Sequence, residues 1–187
     1  ALRSAAAGVE KEPDRLIHIS RPERALVAGD RSPLLEAFAR LRKRRPEATL
    51  AIARYHSMYE GNPNVDAFCR RADELVAEAD GVEYLGNLNK EELYAEIARS
   101  QLMLYPGVQT FAETSCIAAI EAQALGTPLV CTDMGALRET LHWEAGRRIS
   151  GDSLGEEYQE AYVHACLRLL TVPEEYAAAQ EAGRKWA

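Results

Sequence analysis

The chain has 187 residues, 47% hydrophobic and 27% charged, with a formal net charge of −7. This is an ordinary globular composition with room for one domain and a sizeable core, and the negative balance disfavours nucleic acid as a partner. No apolar run approaches the ~18 residues of a transmembrane helix. Cys69, Cys116, Cys131 and Cys166 are scattered, without zinc spacing or a disulfide framework, and read as reduced thiols of a cytoplasmic protein. The four histidines lack metal-ligand spacing, so no metal site is expected.

Residues 1–14 are small, polar and charged, lack the apolar region of a signal peptide, and read as a linker before a domain spanning 15–187. Leu16 to Ile19 is a short apolar strand, and Ser20 to Ala25 the loop after it. A strand, a loop with basic residues and then a helix put that loop at the carboxyl edge of a parallel sheet, where α/β folds bind ligands. Arg21 and Arg24 either aim their planar forks at an anion or are solvated loop arginines. Residues 33–45 form an amphipathic helix, with Pro33 in its first turn and Leu34, Leu35, Phe38 and Leu41 as the buried stripe. Its Arg42-Lys43-Arg44-Arg45 end reads as a solvated helix terminus favouring positive charge. Residues 48–53 are a strand, 56–64 a loop, 65–79 a helix and 82–86 a third strand. Asn89 and Glu92 have capping-box spacing at the start of a helix over 90–99.

The centre of the chain is residues 101–133. Gln101 to Tyr105 is an apolar strand ended by Pro106-Gly107. A helix follows from about Glu113, stopped by Gly126-Thr127-Pro128, and Leu129 to Thr132 is the next buried strand. The N–H groups of Thr114, Ser115 and Cys116 fall where a helix leaves its first donors unpaired, which is an anion site. Glu113 lies beside it and Glu121 eight residues on, about 12 Å away on a neighbouring face. One ligand touches both only if it is long: a sugar at one end, a diphosphate over the helix start and a ribose at the other. The bland alternatives are a helix-dipole complement at Glu113 and a solvated Glu121. Beyond this region, 136–141 is a short helix, 147–150 a weak edge strand, 156–170 an amphipathic helix, and 174–187 a last helix after Pro173.

The run FAETSCIAAIEAQALGTPLVCTDMGALRETL resembles the donor-binding core of GT-B glycosyltransferases, in particular the retaining, nucleotide-sugar-dependent group that includes glycogen and sucrose synthases. That group carries a Glu, seven residues, Glu-Ala, then Gly-Thr-Pro and Gly-Gly-x-x-Glu. Here these are Glu113, Glu121-Ala122, Gly126-Thr127-Pro128, and Gly135-Ala136 with Glu139. The resemblance covers about residues 15 to 185. It implies that Arg24, and less directly Arg21, contact the diphosphate, although Ser20 and Ala25 replace the family's glycines in that loop. It implies that Asn87 and Leu88 lie against the base, that Glu113 holds sugar hydroxyls, and that Glu121 holds the ribose.

Alternating strands and helices with no internal repeat predict a Rossmann-like, doubly wound parallel sheet of about six strands. GxGxxG and GxxxxGK[ST] are absent, which disfavours dinucleotide and P-loop readings. The resemblance implies the C-terminal half of a two-domain hexosyltransferase, with the N-terminal acceptor domain absent from this chain. Its donor is a UDP-, GDP- or ADP-linked sugar. Arg24 and helix-start amides stabilise the departing diphosphate, with no metal or other cofactor required, and the isolated domain is expected to be inactive. A nucleotide-sugar epimerase or phosphorylase on the same fold, and a non-catalytic nucleotide-sugar-binding module, remain as alternatives.

Overall fold

The computed structural model describes residues 2, 7–53, 61–110 and 113–187. Its sheet contains β1 (Glu12–Ile19), β2 (Thr49–Ala53), β3 (Val82–Gly86), β4 (Ser100–Tyr105), β5 (Leu129–Thr132) and β6 (Gly146–Ile149). Their spatial order is β3-β2-β1-β4-β5-β6, and every pairing is parallel. This is the expected six-stranded Rossmann-like sheet. The chain winds outward one way from β1 and the other way from β4. The crevice outside the carboxyl ends of β1 and β4 is therefore the topological switch point, where open α/β sheets bind ligands.

The strands alternate between two buried faces, as a sheet covered on both sides must. Leu16, Leu50, Ile52, Leu102, Leu104 and Val130 join one core. It is covered by α2 (Pro33–Arg42) and α7 (Glu156–Thr171). Ile17, Ala51, Met103, Leu129 and Cys131 join the other, under α4 (Lys90–Arg99) and α5 (Ile117–Ala124). The helices α1 (Pro22–Ala25), α3 (Pro63–Ala77), α6 (Leu137–Thr140) and α8 (Pro173–Trp186) complete the described set.

Local chemistry explains the helix starts. The Ser32 side chain accepts from the Leu35 N–H and Pro33 opens α2. Both halves of the Asn89/Glu92 capping box are formed at α4. The arginines of the basic run at the end of α2 are ion-paired rather than merely solvated. Arg42 pairs with Asp80, Arg44 with Glu160 at 2.7 Å and Arg45 with Asp14 at 2.6 Å.

Several boundaries differ from expectation. β1 begins at Glu12, so residues 12–14, expected as linker, are part of the sheet. The sequence concealed this because Asp14 sits at φ 59°, in the left-handed region, within a register shift between β1 and β4. Both Asp14 carboxylate oxygens accept from Arg45 at 2.6 Å, and its N–H donates to Gln101. These bonds hold a conformation that Asp tolerates better than most residues. Within Ser20–Ala25, expected as loop, Pro22–Ala25 forms one helical turn. α3 starts at Pro63, inside the expected 56–64 loop, with Asn62 as its cap; residues 56–60 of that loop lie outside the described residues.

Candidate functional site

The carboxyl ends of β1 and β4 open into a cavity of about 490 Å³, within the size range of small-molecule sites. Its walls include Ser20, Arg21 and Arg24 after β1, Leu88 and Lys90 before and at the start of α4, and Glu113, Ser115, Cys116 and Glu121 around α5. Residues from three distant parts of the chain thus meet at the switch point.

The basic wall is set by α1. Arg21 is its N-cap, and the Arg24 carbonyl accepts from the Val108 N–H at 2.8 Å, tying the turn to the loop after β4. Arg21 forms an ion pair with the buried carboxylate of Glu23. Both Arg21 and Arg24 line the cavity.

The acidic wall differs from expectation in one important way. α5 begins at Ile117, not near Glu113, and Cys116 is its N-cap. Thr114, Ser115 and Cys116 therefore do not supply first-turn amides. The cause is a tertiary hydrogen bond: the Glu113 carbonyl accepts from the Ala136 N–H at 2.8 Å. The Ile117 N–H turns instead to the Ser115 carbonyl at 3.2 Å. Thr and Ser, which compete for backbone groups, offer the helix little resistance to starting late. Gly135 makes the clamp possible. It has φ 47°, and a Cβ placed there would lie 2.4 Å from the Glu113 carbonyl oxygen. Thr114 is exposed and does not line the cavity.

Each carboxylate is held by a tyrosine. The Tyr105 hydroxyl donates to Glu113 Oε2 at 2.6 Å and lies 3.2 Å from Ser20 Oγ. The Ser115 N–H reaches Glu113 Oε1 at 3.3 Å. Burial, with the neighbouring Cys116 and Glu113, raises the Tyr105 pKa well above its ordinary value, so it remains a neutral donor. Glu121 is 7% exposed. Its Oε1 accepts from Lys90 Nζ at 2.6 Å and from the Tyr94 hydroxyl at 3.1 Å. Burial opposes the charge on Lys90, but its bond to Glu121 outweighs that and raises its pKa. The solvated alternative for Glu121 is thereby excluded. Cys116 lines the cavity as a thiol, since burial pushes its pKa up to about 12.

Among the expected residues the cavity therefore gathers Arg21, Arg24, Leu88, Glu113, Ser115, Cys116 and Glu121. Asn87 is exposed and lies outside its lining. Sequence reasoning missed Lys90, Tyr94 and Tyr105. The i, i+4 spacing of Lys90 and Tyr94 put them on one helix face, but nothing in the linear order pairs them with a glutamate 27 to 31 residues away. Among the described residues, no group of three or more His, Cys, Asp or Glu could hold a metal ion. No helix among them is long and apolar enough to cross a membrane.

Strand order and cavity define a doubly wound α/β domain with a cavity at its switch point, lined by Arg21, Arg24 and Lys90 together with Glu113 and Glu121. The family described as "Glycosyl transferases group 1" matches residues 31–186. The chain belongs to that family. It is 34% identical over 122 residues to a D-inositol 3-phosphate glycosyltransferase of Pseudarthrobacter chlorophenolicus, covering 63% of this chain and 27% of the relative. In structure it is similar to a sucrose-phosphate synthase from Thermosynechococcus elongatus, with a TM-score of 0.70 and 22% identity over 98% of this chain and 42% of that one. It is also similar to a pneumococcal O-GlcNAc transferase in complex with UDP and GlcNAc, with a TM-score of 0.65 and 17% identity over 96% of this chain and 33% of that one. The chain thus spans well under half the length of these proteins.

Proposed function

We propose that this chain is the nucleotide-sugar-binding domain of a retaining GT-B glycosyltransferase, one that transfers a hexosyl group from a nucleoside-diphosphate sugar to an acceptor. The observation that carries this reading is that Arg24, Glu113 and Glu121 line one cavity at the switch point. A nucleoside-diphosphate sugar has matching chemistry: an anionic centre between two polyhydroxylated ends. In this reading Arg24 neutralises charge growing on the departing diphosphate, Glu113 accepts from sugar hydroxyls, and Glu121 accepts from the ribose. Arg21 is a secondary phosphate contact, and Leu88 offers an apolar surface to the base, with Asn87 beside it. The short span relative to its relatives supports a missing acceptor domain, without which transfer is slight.

Calorimetric titration with UDP, GDP and ADP tests this proposal. One nucleotide should bind, and both Arg24→Ala and Glu121→Ala should weaken it. Binding of none, or binding indifferent to both changes, would overturn the assignment. Interconversion of free donor sugar by the chain would instead indicate an epimerase.

A further inference from the structure

We infer that Lys90 is a specificity-determining residue of this site: its ammonium and Glu121 together read two adjacent hydroxyls, and so select a ribonucleotide over its deoxy form. The inference rests on the proposed nucleotide-sugar reading of the cavity and adds a residue to it.

The geometry begins at the α4 cap. Asn89 and Glu92 bond reciprocally, at 2.8 and 3.0 Å, and fix where the helix starts. Lys90 is its first residue. One turn on, Tyr94 lies on the same face, and Lys90 Nζ sits 5.3 Å from its ring centroid. Both side chains reach across to α5 and converge on a single atom, Glu121 Oε1.

That convergence has a chemical consequence. Oε1 is occupied by two donors, whereas Oε2 accepts from no donor among the described residues. An ammonium carries three N–H donors; Glu121 takes one of them and the Tyr94 hydroxyl engages another. The Lys90 side chain is 64% exposed and lines the cavity, while Glu121 is nearly buried. The pair therefore presents one acceptor, Oε2, and a spare donor on Nζ at the cavity wall. Each hydroxyl of a vicinal diol both donates and accepts. One can donate to Oε2 while its neighbour accepts from Nζ. A deoxyribose leaves one of these partners unmatched, and a site built to bond a hydroxyl discriminates against the analogue lacking it.

A purely structural Lys90, present only to neutralise a buried carboxylate, predicts something different. Its loss would weaken ribo and deoxy ligands alike.

The test titrates wild type, Lys90→Met, Lys90→Arg and Arg24→Ala with UDP, GDP and ADP, and then with the 2′-deoxy form of whichever binds tightest. Wild type should prefer the ribonucleotide by roughly tenfold or more. Lys90→Met should remove most of that preference, and Lys90→Arg should keep part of it. Arg24→Ala should weaken both forms equally and leave their ratio intact. A ratio unchanged in Lys90→Met would overturn the inference while leaving the nucleotide site standing. Failure of wild type to bind any nucleotide would overturn both.

Discussion

Raising the pH should stabilise this chain through Lys11, and replacing Lys11 with Met should abolish the gain. Lys11 Nζ donates to the Ser100 carbonyl at 2.7 Å and to Thr127 Oγ1 at 2.5 Å. It sits at the amino edge of β4 and β5, remote from the cavity. Burial, assisted by the Arg184 guanidinium, lowers its pKa from 10.5 to about 7. Between those values the unfolded chain holds a proton on Lys11 that the folded chain does not. Stability from this group therefore rises with pH across that window and is flat below it. Between pH 7.5 and 9.5 wild type should gain about 2 kcal/mol on Lys11→Met. The comparison must be made against the variant because the thiols pull the other way. Burial raises Cys131 and Cys166, as it does Cys116, so their contribution is lost as pH climbs past the unfolded thiol value. That loss is common to both proteins and cancels. Urea unfolding at pH 7.5, 8.5 and 9.5, followed by circular dichroism, measures the difference. A gap that stays constant across the range would show that Lys11 titrates as an exposed lysine and would refute the argument.

Three further outcomes follow from the geometry. Gly135→Ala forces a side chain into the left-handed region and against the Glu113 carbonyl; it should cost about 1–2 kcal/mol for the backbone alone, lower the melting temperature, and weaken binding of a nucleotide sugar more than of the bare nucleotide. Tyr105→Phe removes one hydrogen bond to the Glu113 carboxylate at nearly constant volume; a loss of about 1.5–3 kcal/mol in denaturant unfolding is expected, and an unchanged midpoint would mean that the bond contributes nothing. A chain beginning at Arg15 lacks Lys11 and the Asp14–Arg45 pair; it should unfold at lower urea than the full chain, and equal stability would restore residues 12–14 to the role of linker.

The elements were largely legible because each carries a local cause. Five largely apolar runs and the weak edge segment at 147–150 give six strands, and the Asn89/Glu92 box marks the start of α4 before any tertiary contact is known. Elements governed by distant partners were not. Asp14 reads as a linker residue until Arg45 is seen on its carboxylate. The start of α5 reads as Glu113 until Ala136 is seen on its carbonyl. Gly126-Thr127-Pro128 looks in sequence like part of the site motif. In space the Thr127 hydroxyl donates to the Ile97 carbonyl at 2.6 Å and accepts from Lys11. Its work is to close the far edge of the sheet.

The same division runs through the site. Spacing alone distinguishes Glu113 and Glu121 as unusual, because two carboxylates flanking an apolar helix need a reason. Spacing cannot give their roles, because a carboxylate acts through whatever holds its oxygens. Glu113 takes a neutral phenol and a long amide contact, an arrangement in which both of these donors are uncharged. Glu121 takes a phenol and an ammonium on the same oxygen, so its charge is balanced beside the cavity and its second oxygen is left to accept. Two glutamates of one motif thus stand in different electrostatic settings, and the difference is made by Lys90, Tyr94 and Tyr105, residues outside the motif. Variants of Lys90, Tyr94 and Tyr105 therefore separate the two proposed roles, orienting a sugar at Glu113 and recognising a ribose at Glu121.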